Sequence, residues 1–330
     1  MAEQMTGSGD EDAETGPPKR GYYGLPVLKV PVWRWEVWCY FFLGGLAAGS
    51  FVVASLARLC GDERDRVVSR AGYLISFAAV LGCPPLLIKD LGRPGRFLNM
   101  LRVFKPESPM SMGVWGLLGF SACSSLAAFR EVFAASRGPS GALARLVPAR
   151  VVAVLGTGLG VFLGGYTGVL LSVTSVPLWS RSRLLGPTFL ASAFSAGVSA
   201  VSLALSVNGK TPRSSLHKLE RIKLAALVAE SAVLAGYLRS TDRAAQPLVV
   251  REQYGRQFVL GAVGLGLAVP AIAAVAGAAH HRRSTALASL CALIGGLLLR
   301  YAIVEGGRLS AEDPETTFWH TALPDGKTDR

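Results

Sequence analysis

Long apolar runs separated by short charged segments dominate the chain. The runs occupy residues 37–57, 71–88, 109–129, 151–180, 184–209, 224–238, 257–279 and 284–299, and the sixth is interrupted only by Glu230. A helix needs about 20 apolar residues to cross roughly 30 Å of hydrocarbon. These runs are too long and too uniformly apolar for barrel strands, in which lipid-facing and inward-facing residues alternate. We therefore predict an all-α integral membrane protein with eight transmembrane helices.

The same pattern divides the chain into three parts. Residues 1–35 are predicted to form an extramembrane N-terminal tail and the segment that leads into the membrane. Residues 36–305 form the eight-helix membrane domain, and residues 306–330 an extramembrane C-terminal tail. Residues 1–20 are polar and contain no apolar core, which does not fit a secretory signal. Eight crossings place both termini on one side, together with the 89–110, 181–183 and 239–256 connections.

Composition and charge narrow the class of protein further. The chain is 51% apolar, and its net charge is +12. The basic residues are spread over all the loops, so we expect them to face the phosphates of membrane lipids and not a nucleic acid. The connections opposite the termini hold 15 Lys and Arg, against 11 on the terminal side. This excess favours termini outside the plasma membrane of a bacterium, in the periplasm, although adding the terminal residues reverses it.

The metal-binding residue types do not form a recognisable site. The five cysteines lack CxxC spacing, and the histidines occupy loops, span ends or the tail: Cys39, Cys60, Cys83, Cys123, Cys291, His217, His280, His281 and His320. An iron–sulfur or zinc site needs clustered ligands, and a haem in the bilayer needs axial ligands from its helices. We therefore expect the chain to carry no haem, iron–sulfur cluster or other metal of its own.

Four stretches of the chain contain distinctive motifs. The most specific is the loop at 89–112, with Asp-Leu-Gly-Arg-Pro at 90–94 and Ser-Pro-Met-Ser at 108–111. Residues 22–33 and 40–50 form the first stretch, with Tyr-Tyr-Gly-Leu-Pro and a glycine-rich helix. Gly-Tyr-Thr-Gly at 165–168 and Leu-Arg-Tyr-Ala-Ile-Val at 299–304, followed by Gly-Gly-Arg and Ala-Glu-Asp-Pro, complete the set. With these stretches, from about residue 22 to residue 315 and in the same order, the chain resembles the NrfD-like family of polysulfide reductase membrane subunits.

The resemblance implies a role in respiration. Its family members are membrane subunits of eight or more helices in two four-helix bundles. They dock a ferredoxin-like iron–sulfur subunit, which connects to a catalytic subunit that is often molybdopterin-dependent. They exchange electrons with menaquinone or ubiquinone, and some are thought to translocate protons. The chain is accordingly predicted to perform only the quinone half-reaction of an oxidoreductase complex. A purely structural anchor and a secondary transporter remain as alternatives.

Candidate quinone-binding residues lie near the ends of the first two spans and on the glycine-rich fourth span. The family pocket uses a histidine and an asparagine near the first span, but residues 33–38 contain neither, whereas Tyr166 matches the family's tyrosine. Quinone chemistry moves protons as well as electrons, so hydrogen-bond donors and titratable groups are needed. The candidates are Asp90, Arg93, Tyr166, Glu36 and Trp38. The alternatives are a loop-fixing Asp90–Arg93 ion pair, a core role for Tyr166, and a plain aromatic belt around Glu36.

Charged residues within the spans suggest a second function. An intramembrane carboxylate is costly unless it is paired or protonated. We predict that Glu230, Arg300 and Glu305 form a proton relay, or that Glu230 and Arg300 form a structural ion pair. Gly156, Gly160, Gly164 and Gly168 recur at four-residue spacing on one helix face. That face predicts either close helix packing or room for a flat ligand ring.

Overall fold

The structure is almost entirely helical. The computed structural model describes residues 28, 31, 33–92, 95–208, 211–241, 245, 248, 255–276 and 281–312, and within them it contains helices and no strand. Arg93 and the 313–330 segment, on which some of the predictions fall, lie outside the described residues. The helices are α1 (Trp35–Cys60), α2 (Arg66–Leu81), α3 (Cys83–Asp90), α4 (Gly95–Arg102), α5 (Pro109–Phe133), α6 (Pro139–Leu146), α7 (Ala149–Ser172), α8 (Pro177–Ser180), α9 (Leu185–Val207), α10 (Arg213–Thr241), α11 (Gln257–Ala268, π-helical), α12 (Val269–Val275) and α13 (Arg282–Glu312).

Within the described residues, seven segments are long and apolar enough to cross a membrane. They are α1, Glu63–Asp90 (which includes α2 and α3), α5, α7, α9, Gln257–Val275 (α11 and α12) and α13. The eighth predicted span lies in α10, a helix of 29 residues. Its buried Glu220, Lys223 and Glu230 make α10 more polar than the other seven. The all-helical membrane architecture is confirmed, and the division into two four-helix bundles stays a prediction.

Proline, glycine and hydroxyl side chains set several helix ends. Pro84 stands in the first turn of α3, where its missing N–H is least costly, and the helix breaks at Gly82. Gly92 ends α3 with φ +67°, a conformation that favours glycine. Ser108 caps α5 by accepting a hydrogen bond from the Ser111 N–H. The predicted 151–180 span is shorter in the structure, because α7 ends at Ser172 and Pro177 begins the separate helix α8.

Helix α1 packs against α2, α7 and α9 at the centre of the molecule. Its closest approach is to α9, where Gly49 faces Gly197 and Ala193. A Cβ added to Gly49 would lie 3.2 Å from the Gly197 Cα and would overlap the Ala193 backbone. The glycine face of α7 is filled in the same way. A side chain at any of its four glycines would meet α1, α5 or α9, at atoms of Phe51, Phe120, Leu190 or the Leu185 backbone. The close-packing explanation of this face is therefore confirmed, and the face leaves no room for a ligand ring.

The connections gather at two opposite ends of the bundle. At the end where α1 begins, Lys89 pairs with Glu36, and the Tyr237 hydroxyl donates to the Leu178 carbonyl. At the other end, Arg58 pairs with Glu131 at 2.7 Å. There the Lys218 ammonium lies 2.8 Å from the Asp65 carboxylate and joins α10 to the start of α2. The contacts of the first end bring together the start of α1, the end of α3 and the ends of α10 and α13.

Candidate functional site

A mainly apolar cavity lies at the end of the bundle where α1 begins. Four helices build it: the first turns of α1 and α5 and the last turns of α3 and α7. Its volume is about 100 Å³. The lining residues are Trp33, Glu36, Val37, Tyr40, Phe41, Leu86, Leu87, Asp90, Leu91, Met110, Gly113, Val114, Tyr166 and Leu170. The cavity therefore brings together three of the predicted quinone-binding residues, Glu36, Asp90 and Tyr166.

Glu36 is the buried charge of this cavity. Its side chain is 4% exposed and lies in the first turn of α1. One carboxylate oxygen, Oε1, lies 3.3 Å from the Lys89 ammonium, which also sits 4.3 Å from the centre of the Trp35 ring. The other oxygen, Oε2, has no hydrogen-bond partner among the described residues. A buried oxygen without a partner is costly, so this atom is available to a ligand or a proton.

Tyr166 forms the opposite wall of the cavity. Its hydroxyl donates a hydrogen bond to the Pro109 carbonyl at the start of α5. The ring lies against Gly113, where any side chain would collide with it. The Phe162 ring, one turn earlier on α7, packs beside it at 5.3 Å between centroids. Tyr166 is therefore fixed by both α5 and α7, and it can donate to a ligand only by leaving Pro109.

The remaining candidates lie at the rim or elsewhere. Asp90 is exposed at the end of α3, where its carboxylate reaches both the cavity and solvent. Arg93 lies outside the described residues, so its predicted pairing with Asp90 stays a prediction. Trp38 does not line the cavity and packs edge-to-face on Tyr301, with 5.4 Å between centroids.

Several cavity residues were not among the predicted set. Trp33 stacks on the fully buried Trp179 at 5.1 Å, and the Trp179 indole N–H donates to the Ile303 carbonyl. Tyr40 follows Glu36 by one helical turn, which puts both on the same face of α1. This i, i+4 spacing was the available signal for Tyr40. Met110 belongs to the Ser-Pro-Met-Ser motif at 108–111, which was the available signal for it, and it reaches the cavity from the first turn of α5.

A second polar cluster lies inside the bundle between α9, α10 and α13. Arg300 is 1% exposed and Glu230 is 4% exposed. The Arg300 Nη1 donates to the Ser192 hydroxyl at 2.9 Å and to the Gly296 carbonyl at 2.7 Å. On α9, Ser192 and Ser195 lie beside the Glu230 carboxylate. Ser192 is therefore next to both charges, which form no direct ion pair within 4 Å among those described.

Two further charge pairs lie near this cluster. Glu305 pairs with Arg308 at 3.0 Å on its own helix, and among the described residues it forms no ion pair with Arg300. Lys223 is completely buried, and its ammonium lies 2.7 Å from Glu220 and 3.2 Å from the Ser289 hydroxyl. The Lys223–Glu220 pair was not predicted, although a lysine and a glutamate three residues apart on an apolar helix were a visible signal.

These observations define a class of protein: a multi-pass helical membrane protein with a carboxylate-containing apolar cavity near one membrane boundary. Among the described residues, no three His, Cys, Asp or Glu side chains are grouped as metal ligands would be. The comparisons with known proteins then identify the family. The chain belongs to the family described as "Polysulphide reductase, NrfD", which matches residues 27–311. The predicted family resemblance is thus confirmed.

Relatives from three bacteria match most of the chain. It is 31% identical over 302 residues to the C chain of polysulfide reductase from Wolinella succinogenes, an overlap of 84% of this chain and 94% of that protein. It is 27% identical over 310 residues to "Protein NrfD" of Escherichia coli, with 84% and 96% covered. A homologue of that protein in Haemophilus influenzae is 26% identical over 312 residues, with 84% and 95% covered. The chain is therefore a multi-pass membrane protein of this family.

Proposed function

We propose that the chain is the quinone-interacting membrane anchor of a multi-subunit respiratory oxidoreductase. Electrons would pass between a ferredoxin-like iron–sulfur subunit and menaquinone or ubiquinone in the membrane of a bacterium. Membership of the NrfD family supports this role, as does the similarity to a protein named as one chain of polysulfide reductase. A catalytic subunit, often molybdopterin-dependent in the family, would complete the complex.

The proposal of a quinone site rests on one observation. Within the described residues, the Glu36 Oε2 atom has no hydrogen-bond partner, and Glu36 lines an apolar cavity. Reduction of a quinone to a quinol takes two electrons from the partner and two protons from the site. A buried carboxyl group next to an aromatic-lined space suits a ligand oxygen that must be protonated. Lys89 holds the other carboxylate oxygen, and Asp90 is exposed at the rim. We assign Glu36 to the proton step at the quinone oxygen and Asp90 to exchange with solvent.

The size of the cavity sets a condition on this assignment. Its volume of about 100 Å³ is smaller than the ~150 Å³ that admits a benzene ring in a protein core. A quinone ring therefore requires a side chain to move. Met110 is the best candidate, because it is 55% exposed at the mouth and methionine is the most adaptable apolar side chain.

The end of the bundle that holds the cavity is the proposed docking surface for the iron–sulfur subunit. The chain that follows α4 is exposed there, with Phe104 and Val103 at least half exposed. We place this end, with both termini, on the periplasmic side. Exposed apolar side chains beside charged ones are typical of subunit interfaces.

The polar cluster supports an additional proposal of proton translocation. Glu230 and Arg300 are held around Ser192, and Lys223 lies two turns before Glu230 on α10, about 10 Å along the helix axis. The buried Ser199 hydroxyl on the neighbouring α9 has no partner among the described residues, and ordered water commonly satisfies such groups. We propose that Glu230 and Arg300 form the central part of a proton relay, with Glu305 towards the cavity end.

Site-directed variants test the quinone site. Glu36→Gln and Tyr166→Phe, assayed in the assembled complex, are expected to lower quinone-linked turnover about five- to hundred-fold, the value of one hydrogen bond of about 1–3 kcal/mol. Dye-linked activity of the catalytic partner should remain. Glu131→Gln, which removes a carboxylate of the Arg58 pair at the opposite end, is the matched control.

Three results would count against the proposal. Normal quinone turnover in both variants, with the complex intact, would place the site elsewhere. A second result is that the variants reduce the amount of assembled complex, while the complex that does assemble keeps its normal quinone-linked turnover. That result would favour a purely structural anchor. Purification without a stoichiometric iron–sulfur partner would instead support the transporter alternative.

A further inference from the structure

A strongly basic basin lies at the end of the bundle opposite the proposed quinone site. Among the described residues, none of those that line it is an Asp or a Glu. In the structure, the starts of α10 and α13 meet around a cavity of about 510 Å³. Three arginines and two histidines line it: Arg213, Arg282, Arg283, His217 and His281. The arrangement concentrates positive charge in one place.

The arginines of the basin have different structural roles. Arg282 donates to the Asn208 and Thr211 carbonyls, at 3.3 and 2.6 Å, and so ties α13 to the α9–α10 connection. Arg213 and Arg283 are exposed, and neither forms an ion pair with any described residue. The positive ends of two helices, of 29 and 31 residues, also point into the basin. An anion bound there would offset the repulsion among these charges.

The surface next to the basin is apolar and faces away from the bundle. Arg283, Leu287, Leu290 and Ile294 follow one another at helical spacing on one face of α13. The three apolar side chains are 64%, 44% and 40% exposed. In a membrane-spanning helix such a stripe lies against lipid chains. The basin therefore stands directly above a lipid-facing surface, at the boundary of the predicted span.

From this juxtaposition we infer that the basin binds the headgroup of an anionic phospholipid. The phosphodiester would lie between the Arg213 and Arg283 guanidinium groups, which suit phosphate oxygens in bidentate geometry. The acyl chains would run along Leu287, Leu290 and Ile294. Basic pockets between transmembrane helices are known to recognise such lipids. A soluble phosphate ester shares the headgroup chemistry but gains nothing from the apolar stripe.

Lipid titration of the delipidated full-length chain in detergent tests the inference. Thermal stability is measured with dioctanoyl phosphatidylglycerol, with dioctanoyl phosphatidylethanolamine and with soluble glycerophosphoglycerol. Only phosphatidylglycerol is expected to stabilise the protein strongly. The double variant Arg213→Gln with Arg283→Gln should weaken its apparent affinity about thirty-fold, from the loss of two basic residues at the membrane surface. Arg70→Gln, an exposed arginine at the same end outside the basin, is the control.

The outcomes separate the possible ligands. Equal stabilisation by phosphatidylethanolamine, or undiminished affinity in the double variant, would overturn the inference. So would equally tight binding of glycerophosphoglycerol, because the site would then serve a soluble anion. If the double variant does not fold, Arg283→Gln alone decides the matter, with an expected loss of about fivefold against the unchanged Arg70→Gln control.

Discussion

The buried Arg300–Ser192–Glu230 cluster allows a sharp test of the packing between α9, α10 and α13. Replacing Arg300 with Met keeps much of the side-chain volume but removes the charge. It also removes the two hydrogen bonds of Nη1 and the contacts of the guanidinium with the rings of Phe42 and Phe189, at 5.7 and 5.5 Å. Glu230 would then be a buried carboxylate supported only by serine hydroxyls.

The magnitude follows from the burial of both groups. Breaking a direct buried ion pair by removing one partner costs about 3–5 kcal/mol, and we take that value as the upper end here, because Arg300 and Glu230 are not in direct contact. For a chain of this size, that predicts a fall in Tm on the order of 5–10 °C. The double variant Arg300→Met with Glu230→Gln should recover at least about 1 kcal/mol of the summed losses, because the isolated charge is gone.

The assay is thermal unfolding of the purified full-length chain in detergent, followed by tryptophan fluorescence. Arg66→Gln is the control, since its ion pair with Glu63 is fully on the surface and should contribute little. The reasoning is refuted if Arg300→Met is no less stable than Arg66→Gln. It is also refuted if the two single effects add without coupling. A stable Glu230→Gln variant that loses proton translocation would support the relay over a purely structural pair.

Three other predictions follow from the packing and the charges. Gly197→Ala should lower the Tm markedly or prevent folding, because the added Cβ would overlap the Gly49 and Ser50 backbone. In the same thermal measurement Gly44→Ala should be neutral, because an added Cβ there has no atom within 4 Å. Lys223→Met should cost about 3–5 kcal/mol in unfolding free energy by isolating Glu220, while Arg66→Met, whose ion pair with Glu63 is on the surface, should cost less than about 1 kcal/mol. Amine cross-linking of the assembled complex should join the iron–sulfur partner to Lys89 and Lys105, and cross-links from Lys218 alone would contradict the proposed docking end.

Much of the fold could be predicted from local sequence alone. Each membrane-spanning helix is encoded by its own apolar run, because hydrocarbon leaves the backbone no other way to satisfy its hydrogen bonds. The break at Gly82 before Pro84 and the end of α3 at Gly92 were likewise local, since they depend on the geometry of single residues. The family also followed from contiguous motifs. The boundary of α7 was less well predicted, because an apolar composition continues through the turn that separates it from α8.

The candidate sites depended on contacts between residues far apart in the sequence. Tyr166 and Pro109 are 57 positions apart, and Arg300 and Ser192 are 108 apart. The sequence by itself determined that Glu36 and Asp90 lie at span ends, that Tyr166 lies on the glycine-rich fourth span, and that Glu230 lies within the sixth span and Arg300 near the end of the eighth. Only the tertiary structure placed the first three around one cavity, left Trp38 outside it, and inserted Ser192 between the two buried charges. The physical reason is that close helix contacts, such as the approach of Gly49 to Gly197, set how each helix is rotated and where it lies along its axis relative to its neighbours. No local sequence pattern encodes that rotation or that axial position.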